Sequence, residues 1–266
     1  MRVQSILSLI LLLAIGPACT SASEETTAMY TMPRRIVDLS PTITEDLTLR
    51  VRGQQQISST GFDGTTQFNH RTSNGPLYVL NSFITLYDHA GPHNDAPNHL
   101  IPGGKSTEEL PLDSFFGPAR IFDFRDRPND EPLSREDFET GGIQPGEIVI
   151  VAVGYEAPTV PNEFPSYPYL SGEAAEYLAS IPVRAFATDM PSTGSFRRYG
   201  TLMEESIDPY HVVPEHLAFL SREIPNIEGL TGLDQLVGEK NAVFVGFPLK
   251  VQGASGGMMR AVALVY

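Results

Sequence analysis

The chain has 266 residues, 41% of them hydrophobic and 19% charged, enough to bury a proper core in one large domain or two small ones. Its formal net charge is −14, and no basic run offsets it. Nucleic acid is thereby excluded as a partner, because neutralising phosphates requires clustered Lys and Arg.

The N-terminus has the three-part form of a secretory signal peptide over residues 1–22. Arg2 supplies a positive start, Ile6 to Ile15 is almost wholly apolar, and small residues follow to Ala22. About ten apolar residues are too few for a permanent membrane span, so export to the periplasm or beyond is expected. Cys19 is the only cysteine, and Gly16-Pro17-Ala18-Cys19 resembles a bacterial lipoprotein box with Gly16 where Leu is usual. A lipid anchor at Cys19 and ordinary cleavage near Ala22 both stay open. Either way the mature body has no internal disulfide. Residues 23–33 read as a flexible leader and 34–266 as a single domain.

Arg35 to Ser40 reads as a first short strand. Residues 41–76, rich in Gln, Ser, Thr, Asn and Gly, read as long loops around a short hairpin, with His70 a surface histidine and not a ligand. Tyr78 to Asp88 alternates and favours β-branched and aromatic residues, so it is expected to be a strand. It runs into His89-Ala-Gly-Pro-His93-Asn-Asp95-Ala-Pro-Asn-His99, where three of the six histidines fall within eleven residues. Gly91, Pro92 and Pro97 rule out a regular helix there, which places the cluster in a turn held by a strand. Two histidines in a turn are commonly surface residues. Four donors in eleven residues, stiffened by one Gly and two Pro, point instead to Zn²⁺, Mn²⁺ or Fe²⁺, and the lack of thiolate argues against a closed structural zinc site.

Further along, Gly117 to Phe124 reads as a strand, 125–134 as a solvated loop, and Gly146 to Val153 as a buried strand. Four prolines in 155–169 forbid helix. Ser171 caps the clearest helix, running to Ser180. Pro182 to Ala187 is a strand, 192–212 is irregular, and Glu215 to Ser221 is a short helix behind Pro214. Ile227 to Leu230 is a short apolar element, Leu230 to Leu236 a helical turn, and Asn241 to Phe247 and Arg260 to Val265 two closing strands. The sum is one mixed α/β domain.

A metal site opened by one stretch needs partners from elsewhere. His211 and His216 remain, and Glu228, flanked by Ile227 and Leu230, would be costly to bury unless paired or metal-bound. Here the residues gain a family likeness. The chain resembles the metal-dependent cyclase-like hydrolases, the group containing bacterial kynurenine formamidase and isatin hydrolase. Their signature is His-x-Gly-Thr-His-x-Asp-x-Pro-x-His, against His89-x-Gly91-Pro92-His93-x-Asp95-x-Pro97-x-His99 here. The likeness extends through Val37 to Ser40, Leu110 to Asp113, Gly117-Pro118, Pro168 to Ser171, Thr188 to Ser192 and Pro248 to Lys250, with His216 and Glu228 at the family spacing.

The resemblance implies a swivelling β/β/α domain, a homo-oligomer (dimer or tetramer), and one or two divalent ions, Zn or Mn. It makes His89, His93 and Asp95 ligands of a first ion, Asp95, His216 and Glu228 ligands of a second, and His99 the catalytic histidine. It implies hydrolysis of a small amide or cyclic imide, arylformamidase-like or isatin hydrolase-like. A bound ion acidifies water and polarises a carbonyl, and a histidine near neutrality can pass the proton to the leaving nitrogen. Two departures stand out. Pro92 replaces the family threonine, which predicts altered contacts around the ligands. The kynurenine formamidases contact substrate through a tryptophan, and this chain has none. With export, that counts against N-formylkynurenine, and leaves Phe62, Phe68, Tyr78 or Tyr155 for aromatic contact. Competing readings are a lactone or ester hydrolase, a cyclase on the same site, and a non-catalytic periplasmic metal- or ligand-binding protein. His99 separates them, since a pure metal binder has no need of it.

Overall fold

Nine strands build a mixed sheet that carries the cluster at one end. A computed structural model describes residues 31–42, 87–155, 165–205 and 208–266, and the backbone alone of 48–49, 57–58, 61–72, 75–85, 202–205 and 209–210. The expected signal peptide and all but the last residues of the leader lie outside these, as do the side chains of Phe62, Phe68, His70 and Tyr78. The sheet strands are β1 (Arg35–Asp38), β2 (His93–Asp95), β3 (Phe116–Asp123), β4 (Ile148–Ala152), β5 (Ala185–Thr188), β6 (Asn226–Glu228), β7 (Ala242–Val245), β8 (Gly256–Met258) and β9 (Val262–Val265). Their order is β1-β9-β7-β3-β4-β5-β6-β2-β8. The run from β3 to β6 is parallel and everything outside it antiparallel. Among the described residues five α-helices accompany it: α1 (Glu136–Glu139), α2 (Gly172–Ser180), α3 (Phe196–Glu205), α4 (Pro209–Val212) and α5 (Pro214–Leu220).

The continuous apolar run of β4 is explained by burial on both faces. Ile148, Ile150 and Ala152 join Phe115, Phe244, Leu233 and Leu236 in one core. Val149 and Val151 turn the other way, into a second core with Leu170, Leu178, Phe186 and Phe219 beneath α2 and α5. Each such side chain contributes about 1.5–3 kcal/mol on burial, so both layers hold the sheet rigid below the site. The cap of α2 is as expected: Ser171 accepts the Ala174 N–H at 3.1 Å.

Three expectations are corrected. Within 41–76 the backbone forms most of one long hairpin, Gly61–Thr72 against Gly75–Thr85, where loops around a short hairpin were expected. Its polar residues occupy both phases of the strand, which hides the alternation. The segment 192–212 is not irregular but holds α3 and α4. Gly200 and four charged residues disguised α3, whose first turn is capped by Ser195 accepting from Arg198 N at 3.3 Å. Finally, His93 to Asp95 is not turn but strand, sandwiched between β6 and β8. Among the described residues no helix is long and apolar enough to cross a membrane.

Candidate metal centre

Local backbone geometry aims the first three donors. Gly91 adopts φ +62°, a left-handed value that suits glycine, and turns the chain between His89 and the strand. On β2, His93 and Asp95 are two apart and so share a face, while Asn94 points away. The register pairs His93 with Glu228 and Asp95 with Asn226 on β6, which brings Glu228 to the same face. Gly229, just beyond, has φ +71°, and a β-carbon there would stand 2.7 Å from the Gly91 carbonyl oxygen. Two glycines thus let the ligand turn and the end of β6 touch.

The donor atoms converge. His89 Nε2 lies 3.2 Å and His93 Nε2 3.5 Å from Asp95 Oδ1. His216 Nε2 lies 3.5 Å from Asp95 Oδ2 and 3.2 Å from Glu228 Oε1, and His93 Nε2 is 3.8 Å from Glu228 Oε2. All five residues are buried. His89, Asp95 and His99 form one group whose donor atoms lie within 4.8 Å of one another, and His93, Asp95 and Glu228 form another, with Asp95 common to both. His99, partly exposed on the single turn Pro97–His99, holds its ring centroid 4.5 Å from that of His89, the two planes tilted by 41°. His211 is exposed and belongs to neither group; His216 is in neither as well, but it is buried and its Nε2 borders the second through Asp95 and Glu228.

The residues fit a cation. His89 Nδ1 donates to Asp88 Oδ1 at 2.9 Å and His93 Nδ1 donates to the Gly91 carbonyl at 2.9 Å. Both partners are acceptors only, so each ring carries its hydrogen at Nδ1 and turns a lone pair at Nε2 inward. His89 Nε2 and Asp95 Oδ1 are buried with no hydrogen-bond partner. Lone pairs from several imidazoles and two carboxylates facing one space repel unless something positive sits among them. In the protein alone, protons take that role. Burial opposes charge on His89, but the Asp95 and Asp88 carboxylates outweigh it and lift its pKa to about 9. His216 is raised well above its usual range, Glu215 and Glu228 overcoming its burial. Asp95 is held well below the carboxylate range, burial being overridden by His89 and His93. For His99 burial prevails, aided by His89 and His216 against the pull of Asp95, and its pKa is lowered.

Several supporting residues escaped the sequence reading. Thr193 donates to Glu228 Oε1 from both its N–H and its hydroxyl, each at 2.7 Å. Tyr199 on α3 donates to Glu215 Oε1, and its oxygen lies 3.3 Å from His216 Nδ1. Asp189 accepts from Val153 N and Gly154 N, tying the ends of β4 and β5, while burial lifts its pKa to about 6. Asn226 is fully buried and neither amide atom has a partner. Asp88, adjacent to His89, and Glu215, adjacent to His216, are the two that sit beside a donor in the chain. Pro92, lacking an N–H, offers its carbonyl to Met259 N at 2.9 Å and lines a cleft of about 580 Å³ with Phe247, Met258 and Arg260.

The chain has relatives among known proteins. A family model described as a putative cyclase matches residues 37–195. The kynurenine formamidase of Salinibacter ruber is 29% identical over 182 residues, 67% of this chain and 77% of that protein. That of Delftia acidovorans is 27% identical over 236 residues, 87% of this chain and 98% of the other. Among solved structures, an isatin hydrolase bound to the product analogue thioisatinate shares the fold at a TM-score of 0.69 and 21% identity, covering 87% of this chain and 92% of that one. The chain belongs to the cyclase family.

Proposed function

We propose that this protein is an exported, homo-oligomeric metal-dependent hydrolase that opens a small amide or cyclic imide. The chain is an enzyme, an amidohydrolase of C–N bonds outside peptides, in keeping with its kynurenine formamidase and isatin hydrolase relatives. One observation carries the reading: buried imidazole and carboxylate donors converge, with His89 Nε2 and Asp95 Oδ1 left without partners.

His89, His93, Asp95, His216 and Glu228 would hold the divalent metal, Zn or Mn, as one ion or two. When bound, it acidifies water and polarises the carbonyl of the substrate. The protein supplies the rest. Asp88 and the Gly91 carbonyl fix the tautomers of His89 and His93, and Thr193 fixes Glu228. His99, kept neutral near pH 7, takes a proton from the attacking water and gives it to the leaving nitrogen as the C–N bond breaks. No cysteine and no serine nucleophile is required.

A panel of formanilide-like amides, isatin-like imides, lactones and esters, assayed with Mn²⁺ and with Zn²⁺, tests the proposal. Turnover of an amide or imide is expected; turnover confined to lactones or esters would shift the activity to the alternative substrate class, and none at all would leave a binding protein. Export is checked by the intact mass of the protein from its native host. A chain still beginning at Met1 would sink it, and a lipid-free chain beginning near Glu24 would remove the Cys19 anchor. Light scattering that gave a fully active monomer would remove the oligomer.

A further inference from the structure

Glu215 is 3% exposed and precedes His216 on α5, yet it belongs to neither donor group. Burying a carboxylate is costly unless it is paired and hydrogen-bonded. Its partner is the Tyr199 hydroxyl, itself buried, delivered from α3. Having donated to Glu215, that oxygen can accept a hydrogen from His216 Nδ1 at 3.3 Å, and Glu215 Oε1 stands 3.7 Å from the same nitrogen. Either acceptor requires the hydrogen at Nδ1, and so turns the His216 Nε2 lone pair onto Asp95 and Glu228.

A second observation concerns the backbone. A β-carbon at Gly194 would overlap both Glu215 Oε1 and the Tyr199 hydroxyl. The chain is therefore shaped around this pair, since no other residue fits there. Gly194 follows Thr193, which grips Glu228, and precedes Ser195, whose carbonyl accepts Tyr199 N at 2.9 Å. One short loop thus serves both His216 and Glu228.

We infer that Tyr199 and Glu215 are positioning residues, a clasp that fixes the His216 ring and sets the affinity of the centre for the ion that His216 touches. The inference rests on the metal-centre reading above. It excludes a purely stabilising role for the pair, in which the polar link could be removed without consequence for ion binding. Asp88 performs the corresponding task for His89 from the other side of the site, so the two histidines are supported independently.

The test is a titration of the chelator-treated full chain with Mn²⁺, followed by calorimetry, and the visible spectrum of the Co²⁺-loaded protein. Tyr199→Phe removes only the hydroxyl. It is expected to weaken ion binding by roughly 10- to 100-fold and to alter the Co²⁺ bands, with excess metal restoring occupancy. Glu215→Gln retains an acceptor for Tyr199 and should lose less. A Tyr199→Phe protein that binds Mn²⁺ and absorbs with Co²⁺ as the wild type does, even with a lowered melting temperature, overturns the clasp. Should that variant fail to fold, Glu215→Gln decides alone: weakened ion binding supports the clasp, and wild-type affinity overturns it. A wild-type chain that takes up no ion overturns the clasp and the metal reading together.

Discussion

His89, His93 and Asp95 come from one short stretch, aimed by a glycine turn and the alternation of a strand. His216 and Glu228 arrive from α5 and β6, far along the chain, and are held by Tyr199, Glu215 and Thr193. The near group takes its support locally, from Asp88 and the Gly91 carbonyl. The far group takes most of it from Thr193 and Tyr199, distant in sequence from β6, with Glu215 beside His216 the one local contribution. A donor set can thus be half local and half tertiary, and the two halves should respond differently to substitution.

The largest expected effect is at the shared ground between them. His93 touches both carboxylates, so His93→Ala should abolish tight metal binding, and with it turnover. Elemental analysis showing full occupancy in that variant would erase the division into halves. His99→Ala should leave metal content and fold nearly intact while kcat falls roughly 10²–10⁴-fold, more than KM changes. Because the His99 nitrogen lies within ligand distance of His89 and Asp95, the alternative is concrete: full rescue by added Mn²⁺ or Zn²⁺ would make it a ligand.

Protons probe the near half next. In the metal-free protein His89 is raised from 6.5 to about 9, so it binds its proton more tightly folded than unfolded. That stabilisation is complete below about pH 6.5 and is lost as pH rises through about 9, on the order of 3 kcal/mol. The melting temperature of chelated protein should therefore fall across that window. With metal bound the trend should reverse, because the ion displaces the protons. The smallest effects separate the halves directly. Asp88→Asn should weaken metal binding about 10- to 100-fold through His89. Thr193→Val, which keeps the N–H to Glu228, should cost about tenfold at most. Equal losses in the two would blur the contrast.

The same contrast explains what the sequence could reveal. The near half was legible because four donors, Gly91 and two prolines sit together, and β4 and α2 were legible because burial on two faces and a serine cap leave local marks. Glu228 stood out by its apolar flanks and His216 as a remaining histidine, but only family spacing joined the two to the site. Tyr199 and Thr193 did not emerge, since nothing near them in the chain signals that they will meet α5 and β6, and Glu215, though beside His216, looks in sequence like any acidic residue in a first helical turn. The first strand of the long hairpin, Gly61–Thr72, was hidden for a related reason: its polar residues show no periodic preference, whereas its partner was legible in the alternation from Tyr78.

The pairing of His93 with Glu228 also governs the order in which the molecule can be made. Strand β2 is synthesised early, but both of its neighbours, β6 and β8, come from the last part of the chain. Closing so long a loop is slow, and its entropy must be met before the contact offers any return. The space among these donors therefore cannot exist on a nascent chain. Metal capture would then mark the end of folding instead of guiding its start, and a pulse of metal given during refolding should speed none of the earlier steps.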